Sequence, residues 1–278
     1  MKRVITEADV QRFRYHLGEE ERSDSTIRKY TRDVRHFLDF TGDSEITKDK
    51  VLEYKDRLKS DFATRSVNSM LAALNSFFVF MGWGDLKVKA LKIQQEIFCP
   101  KSRELSEDDY RRMVSKAYEN GDEKVAVMFQ TICATGIRVS ELEYITKEAV
   151  LEGCAVVNCK GKIRQVIIPK RLQDLLLRYC DEKGIESGSI FLTKKGKVID
   201  RSNIWRIMKN NAKQAGVDEG KVFPHNFRHL FARTFYEHDK DIAKLADVLG
   251  HSSINTTRIY ITSSGDEHRK VIDEMGLV

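Results

Sequence analysis

The sequence has few cysteines and prolines and no long apolar run, and these shortages exclude several classes of protein. Its 278 residues include 3 prolines and 16 glycines, too few for a collagen-like, linker-like or disordered chain. No segment approaches the roughly 18 consecutive apolar residues of a membrane-spanning helix. The start, MKRVITEADVQRF, is basic but has no apolar run behind it, so it does not resemble a secretory signal. We therefore expect a cytoplasmic protein without a membrane partner.

The cysteines support neither a disulfide framework nor a zinc site. Their number is odd, no CxxC pair occurs, and most stand in apolar contexts, where a free thiol packs as a small hydrophobic residue. The five are Cys99, Cys133, Cys154, Cys159 and Cys180.

The charge and length leave a nucleic-acid partner possible without establishing one. There are 48 Lys+Arg against 42 Asp+Glu, a formal net charge of +6, which is only mildly basic. With 41% hydrophobic and 32% charged residues the chain is globular, and its length fits about two domains of roughly 100–200 residues.

Residues 1–85 predict a small all-helical domain, because apolar residues recur at intervals of three and four. Thr6 and Thr47 are suited to cap helices, and Gly18 and Gly42 to end them. Two helices carry clusters of basic residues, but acids lie among them, which favours an ordinary solvated face over a DNA-binding surface. The clusters are Arg28, Lys29, Arg32 and Arg35, and Lys55, Arg57 and Lys59.

The rest of the chain predicts a linker and a mixed domain. Residues 86–103 are basic, lack caps and contain Pro100, as expected of an interdomain linker. Ser106 then caps the first helix of a second domain over 104–278. Residues 155–168 predict a β-hairpin with a tight turn at Lys160-Gly161-Lys162. The fold class is therefore mainly α with a small β-sheet.

Several cationic, imidazole and phenolic side chains stand beside sharp backbone breaks, where anions can bind. Guanidinium groups hold phosphate oxygens through paired hydrogen bonds, and helix N-termini attract anions. Each residue alone also has an ordinary explanation, such as an ion pair between Arg138 and either Glu141 or Glu143, or a tyrosine that only packs. The residues are Arg138, Lys160, His225, Arg228, His251 and Tyr260.

A zinc site at His225, His229 and His251 is a weaker interpretation. The first two have the i, i+4 spacing of helical zinc ligands, but no HExxH carboxylate and no nearby cysteine accompanies them.

Four segments together resemble the signature motifs of the tyrosine recombinase (phage integrase) family, of its Xer and transposon-integrase type. They occur in the family's order, with nine residues from His251 to Tyr260. The resemblance covers residues 104–278, and the first domain is more loosely similar to the family's SAM-like core-binding domain. The segments are ATGIRVSEL (134–142), CKGKIRQV (159–166), HNFRHLFA (225–232) and LGHSSINTTRIY (249–260).

The resemblance implies a role for each residue. Arg138 matches the first catalytic arginine, which clamps the scissile phosphate, and His225 with Arg228 matches the family's HxxR pair, with Asn226-Phe227 between them. His251 matches a position held by His or Trp, and Tyr260 matches the nucleophile. Lys160 matches the lysine that acts as general acid, or Lys162 does if the hairpin register shifts. Glu141 matches an acidic position that gives structural support.

The chemistry of these residue types agrees with strand cleavage. A tyrosine hydroxyl, with a pKa of about 10, needs a base or a cationic field to ionise, and two arginines and two histidines provide that field. No carboxylate cluster suited to Mg²⁺ is visible, so we expect a reaction without metal or other cofactor. A covalent 3′-phosphotyrosyl link would preserve the energy of the broken phosphodiester bond. Rejoining would then need no ATP, which is consistent with the lack of a GxxxxGK[ST] loop.

We therefore expect a nucleoid-associated, site-specific DNA recombinase or integrase that clamps duplex DNA between its two domains, with its positive charge sorted onto the inner faces. The resemblance implies a homotetramer on two DNA sites, a Holliday junction, and possible DNA-bending or directionality factors. The tail residues Val271, Ile272 and Met275 either close an intramolecular core or, as in relatives, dock on a neighbouring protomer. The rival functions are a type IB topoisomerase-like enzyme and an inactive DNA-binding accessory factor.

Overall fold

In the computed structural model, residues 2–93, 104–159, 162–193, 195–260 and 273–276 are described, except the side chains of Cys159 and Lys162. The chain divides into two compact units, Met1–Gln95 and Glu96–Val278. Within the described residues no helix is both long and apolar enough to cross a membrane.

The first unit is a helical bundle. Its helices are α1 (Glu7–Glu19), α2 (Asp24–Thr41), α3 (Lys48–Asp61) and α4 (Thr64–Phe80), followed by a 3₁₀ turn at Gly84–Leu86. Thr6 and Thr47 cap α1 and α3 through their side chains, as the sequence predicts. The core is aromatic, and its fully buried rings include Phe13, Phe37, Phe77 and Phe78.

Most of the basic side chains in the two predicted clusters, which lie on α2 and α3, pair with acids. Lys29 and Arg32 both contact the buried carboxylate of Asp33, and Arg35 pairs with Glu7. This pairing is consistent with the solvated face that the interspersed acids indicate.

The predicted linker, residues 86–103, does not begin at residue 86, because its first residues belong to the core of the first unit. Leu86 and Val88 are buried there. The amide side chain of Asn75 exchanges two hydrogen bonds of 2.9 Å with the backbone of Val88, and Asn68 does the same for Leu91 at 2.7 and 2.9 Å. Residues 94–103 lie outside the described part of the chain.

The second unit is mainly helical around a two-stranded sheet. Its elements are α5 (Glu107–Glu119), α6 (Glu123–Thr135), α7 (Lys147–Glu152), β1 (Cys154–Cys159), β2 (Lys162–Ile167), α8 (Lys170–Lys183), α9 (Arg201–Gln214), α10 (Pro224–His238), α11 (Ile242–Leu249) and α12 (Ile254–Arg258). Ser106 caps α5 with a capping box to Asp109, and Gly136, in the left-handed conformation, ends α6. Residues Val139–Tyr144 form a 3₁₀ turn.

The predicted hairpin is present, with β1 and β2 antiparallel and Cys159 opposite Lys162. Ala155, Val157 and Val166 are buried on one face, and Val156 and Ile163 are exposed on the other, so the hairpin packs one face on the core. Of the predicted tail residues, Met275 is exposed, and Val271 and Ile272 lie outside the described residues. The role of the tail stays a prediction.

Candidate active site

A cationic cleft of about 550 Å³ lies in the second unit, where five separate segments of the chain meet. Its lining includes four arginines, two histidines and one carboxylate. They are Arg138, Glu141, Arg164, Arg201, His225, Arg228 and His251.

Arg138 enters the cleft from the loop that follows α6. Because Gly136 ends α6 with φ +61, the chain turns sharply and Arg138 leads into the 3₁₀ turn of Glu141. Glu141 accepts hydrogen bonds from the backbone N–H of Arg138 at 3.0 Å and from its guanidinium at 2.9 Å. The turn therefore fixes both the backbone and the charged end of Arg138.

Glu141 is a buried carboxylate shared by two arginines. Its exposed fraction is 1%, and its second oxygen also accepts a hydrogen bond of 2.6 Å from Arg164. Burial alone would raise the pKa of Glu141, but the hydrogen bonds from Arg138 and the charge of Arg164 outweigh it and lower that pKa. The carboxylate is therefore ionised at neutral pH.

Arg228 is buried on α10 and ties three segments together. Its guanidinium donates to the carbonyls of Gly136 at 2.5 Å and Leu249 at 2.7 Å, and lies 2.9 Å from Nε2 of His251. Burial and the charge of Arg138 lower the pKa of Arg228 to about 10, so it stays protonated at neutral pH. Because a buried charge is costly unless it is hydrogen-bonded, the three contacts of its terminal nitrogens fix the position of the guanidinium.

His251 follows directly on Gly250, which ends α11 in the left-handed conformation. Because a guanidinium can only donate, Nε2 of His251 accepts from Arg228, and Nδ1–H donates to Oγ1 of Thr257 at 2.9 Å. Burial and the charge of Arg228 lower the pKa of His251 to about 4. The imidazole is therefore neutral at pH 7, in one defined tautomer.

His225 lies at the exposed rim of the cleft, in the first turn of α10. Desolvation and the positive charge of Arg201 lower its pKa as well. The cleft thus combines permanent guanidinium charge with neutral imidazoles, of which His225 is the exposed one.

Tyr260 lies beside the cleft rather than among its lining residues. Its backbone N–H donates to the carbonyl of Thr257 just after α12, which places the ring against α10. The ring centroid is 4.1 Å from that of His229 and 5.2 Å from that of His251, and Cζ of Arg228 is 6.0 Å away. A phenol is therefore held next to the cleft by two imidazoles and a guanidinium.

Comparison with known proteins identifies the family. The sequence profile of the phage integrase family matches residues 103–267, more than half of the chain, and the profile of the family's N-terminal SAM-like domain matches residues 10–83. The chain belongs to the phage integrase family.

Relatives and solved structures agree over nearly the whole length. Tyrosine recombinase XerA of Thermococcus kodakarensis is 29% identical and that of Pyrococcus horikoshii also 29%, covering 97% and 99% of this chain and 95% and 96% of theirs. The crystal structure of XerA recombinase matches with a TM-score of 0.54 at 26% identity over 99% of this chain and all of that one. A lambda integrase dimer bound to a COC′ core site matches with a TM-score of 0.75 at 17% identity over 92% and 95%, which shows the shared fold.

The structure brings together most of the residues that the phage integrase motifs single out. Arg138, His225, Arg228 and His251 line one cleft, and Tyr260 lies beside it. Lys160 is outside the described residues, and Lys162 begins β2 with its side chain also outside them, so the choice between the two lysines stays a prediction. The chemical role of each of these residues likewise stays a prediction.

A zinc site at the three histidines finds no support in the part of the chain that is described. No group of three His, Cys, Asp or Glu side chains there could hold a metal ion. The reason is geometric: His229 stacks on Tyr260, while both nitrogens of His251 lie against Arg228 and Thr257.

The sequence motifs do not single out two of the arginines that line the cleft. Arg164 lies two residues after Lys162 in β2 and two before the buried Val166, so Arg164 and Val166 face the same side of the strand. An arginine at such an inward-facing position is the sequence signal that could have identified it. Arg201 opens α9 directly after the cap Asp200, and nothing in the sequence distinguishes it from a solvated helix residue.

Proposed function

We propose that this member of the phage integrase family is a site-specific DNA recombinase that cleaves and rejoins strands through a 3′-phosphotyrosyl link to Tyr260. The observation that carries the proposal is the convergence of Arg138, Arg228, His225 and His251 on one cleft beside that tyrosine. Recombinases named XerA, similar over nearly the full length of the chain, support the same function.

In the cleavage step, the hydroxyl oxygen of Tyr260 attacks the scissile phosphorus and the bond from phosphorus to the 5′ oxygen breaks. The phosphate stays joined to the 3′ side of the DNA as a tyrosyl diester. The phenolic proton passes to a neutral imidazole, of which His225 is the exposed one, and Lys160 gives a proton to the departing 5′ oxygen. Atoms and charge balance without a metal or nucleotide.

Arg138 and Arg228 stabilise the charge that develops on the non-bridging oxygens of the phosphate. Fixed donors of this kind contribute about 3–4 kcal/mol each when they are held where the charge develops. The contacts of Arg138 with Glu141 and of Arg228 with two carbonyls support such a role, because the donors need no reorganisation during the reaction.

Rejoining follows when the 5′-hydroxyl of a second strand attacks the phosphotyrosyl link. Two successive exchanges of this kind between two DNA sites pass through a Holliday junction, and four protomers supply the four tyrosines. A lambda integrase tetramer bound to a Holliday junction has the same fold, with a TM-score of 0.75. We extend the proposal to a homotetramer on duplex sites at the nucleoid, with DNA-bending or directionality factors as accessory partners.

The test is covalent trapping on nicked duplex DNA. A bound site is first selected from random duplexes, and a nick is placed so that the short 5′-hydroxyl fragment diffuses away after cleavage. Wild-type protein should form an adduct that survives denaturation, and Tyr260→Phe should form none. Tyr236→Phe is a matched control, because Tyr236 packs on the same small apolar cluster as Tyr260.

The outcomes separate the rival functions. DNA binding without any adduct from wild type would favour the inactive accessory factor. Adducts accompanied by relaxation of supercoiled plasmids at any sequence, without recombinant products, would favour the topoisomerase-like enzyme. An adduct that persists in Tyr260→Phe would show that another residue is the nucleophile.

A further inference from the structure

Arg164 connects the segment that carries Arg138 to the segment that carries His251. Its side chain is 12% exposed and lines the cleft. One terminal nitrogen donates to Glu141 at 2.6 Å, and the other donates to the carbonyl of Val248, near the end of α11, at 3.3 Å. A single side chain on β2 therefore contacts both halves of the cleft.

The contact with Glu141 sets the charge that Arg138 can offer to a phosphate. Glu141 is ionised and pairs with Arg138 and Arg164 at once, so the three side chains carry one net positive charge. Without Arg164, the remaining pair of Arg138 and Glu141 would be neutral. Its attraction for an anion, and for the additional charge of a transition state, would fall accordingly.

The contact with α11 fixes the backbone from which His251 projects. The last carbonyls of a helix lack partners within the helix, and cations bind there favourably. Arg164 takes the carbonyl of Val248 and Arg228 takes that of Leu249. The helix end just before His251 is therefore held by two guanidinium groups.

Gly250 permits the close approach that this arrangement requires. A Cβ at this position would lie 2.2 Å from Cδ of Arg164, and φ is +65, so only glycine fits without displacement. The stem of Arg164 thus packs directly on the backbone of the residue before His251.

From these contacts we propose that Arg164 is a positioning residue of the cleavage reaction. It neutralises Glu141 so that Arg138 keeps its charge for the scissile phosphate, and it holds the end of α11 so that His251 faces the same phosphate. The proposal rests on the proposed recombinase function and adds to it a residue that does not itself touch DNA.

The first experiment measures single-turnover adduct formation at saturating protein on the nicked duplex. Arg164→Gln should lower the rate by about 10-fold to 100-fold, as losses of supporting contacts around a catalytic centre do, while DNA affinity changes less than about threefold. Arg164→Lys keeps the charge but cannot reach both partners, so its rate should lie between those of wild type and Arg164→Gln. Arg178→Gln on α8 removes an arginine outside the cleft and should match wild type.

The second experiment separates positioning from a general loss of structure. A methylphosphonate at the scissile position removes the negative charge that Arg138 must neutralise. The deficit of Arg164→Gln should shrink to about threefold or less on this substrate, because charge balance no longer limits the rate. A variant that is merely destabilised would be slowed equally on both substrates.

The third experiment restores the charge balance by removing the acid. Glu141→Gln retains an oxygen that can accept from the backbone of Arg138 but has no charge. The double variant Arg164→Gln/Glu141→Gln should therefore form the adduct faster than Arg164→Gln alone.

Several results would overturn the inference. These are a wild-type rate in Arg164→Gln, equal rates in Arg164→Lys and Arg164→Gln, the same deficit on both substrates, or a double variant no faster than the single one. Failure of the proposed function is distinguishable, because wild-type protein would then form no adduct on either substrate.

Discussion

The ring of Tyr260 stacks on the imidazole of His229, with centroids 4.1 Å apart and an angle of 26° between the ring planes. His229 follows Arg228 directly on α10, so one helix turn supplies both a cation at the cleft and the surface on which the tyrosine rests. Burial, followed by the charge of His225, lowers the pKa of His229 to about 4. At neutral pH the stacked ring is uncharged and behaves as an aromatic surface.

We expect His229→Ala to slow adduct formation by about twofold to tenfold, and His229→Phe to keep the rate close to that of wild type. An aromatic pair contributes about 0.5–1.5 kcal/mol beyond its buried area, and the loss frees Tyr260 to leave its position beside the cleft. The measurement is the single-turnover rate on the nicked duplex. A rate in His229→Phe as low as in His229→Ala would instead point to proton transfer by the imidazole.

Acid should destabilise the fold over a defined range of pH. His229 and His251 both have a native pKa of about 4, against about 6.5 in an unfolded chain. Between these values the unfolded state binds protons that the native state does not, so stability is full above pH 6.5 and falls as the pH drops towards 4. Glu141, whose pKa is lowered, adds a loss only below about pH 4.5.

The measurement is the melting temperature of the full chain from pH 7 to pH 4. We expect a continuous decrease over this range and a shallower one in His229→Phe, which has one titrating imidazole fewer. A melting temperature that stays constant down to pH 4.5 would contradict the burial of these histidines.

The sequence predicts the parts of the molecule that depend on local pattern. The capping residues Thr6 and Thr47, the end of α2 at Gly42 and the hairpin each follow from residues within a few positions of one another. The convergence of Arg138 with Arg228 and His251 is predicted only from the resemblance, because no local rule brings Arg138 to residues about 90 or more positions further along the chain.

What the sequence does not predict depends on tertiary contacts. Arg164 becomes part of the cleft because β2 packs beside Glu141 and the end of α11, and neither neighbour is local to it. The first unit extends beyond residue 86, where the sequence predicts the linker to begin, because Asn68 and Asn75 of α4 form hydrogen bonds with the backbone of later residues. Pairing of side chains with a distant backbone leaves no periodic signal.

Gly136→Ala should lower the free energy of unfolding more than a matched glycine substitution does. Both Gly136 (φ +61) and Gly184 (φ +65) end helices in the left-handed region, which costs an alanine about 1–2 kcal/mol. A Cβ at Gly136 would also lie 2.4 Å from Cδ1 of Phe231, whereas nothing lies within 4 Å of one at Gly184. Overpacking of this kind typically adds about 1–3 kcal/mol.

Urea denaturation of the two variants measures the difference. Gly184→Ala reports the backbone cost alone, and the additional loss in Gly136→Ala reports the contact with Phe231. Equal losses in the two variants would mean that the Phe231 ring moves aside without cost.

Arg201 should influence both His225 and DNA. It lines the cleft, and no hydrogen bond or ion pair joins it to another residue in the described ranges, so its charge is available to a phosphate. Its charge also lowers the pKa of His225. We therefore expect Arg201→Gln to raise the pKa of His225, and to weaken DNA binding with a salt dependence reduced by about one phosphate contact.

Arg206→Gln is the matched control, because Arg206 lies on the same helix, is exposed and donates to Asn203 at 2.5 Å, outside the cleft lining. Nuclear magnetic resonance titration of the His225 ring gives the pKa, and fluorescence anisotropy at several salt concentrations gives the dissociation constant and its slope. The pKa should rise in Arg201→Gln alone, since the field of Arg201 acts at short range in the cleft. Equal changes of the pKa and of the salt slope in both variants would contradict this prediction. They would mean that the overall charge of α9, and not a phosphate bound by Arg201 beside His225, determines both quantities.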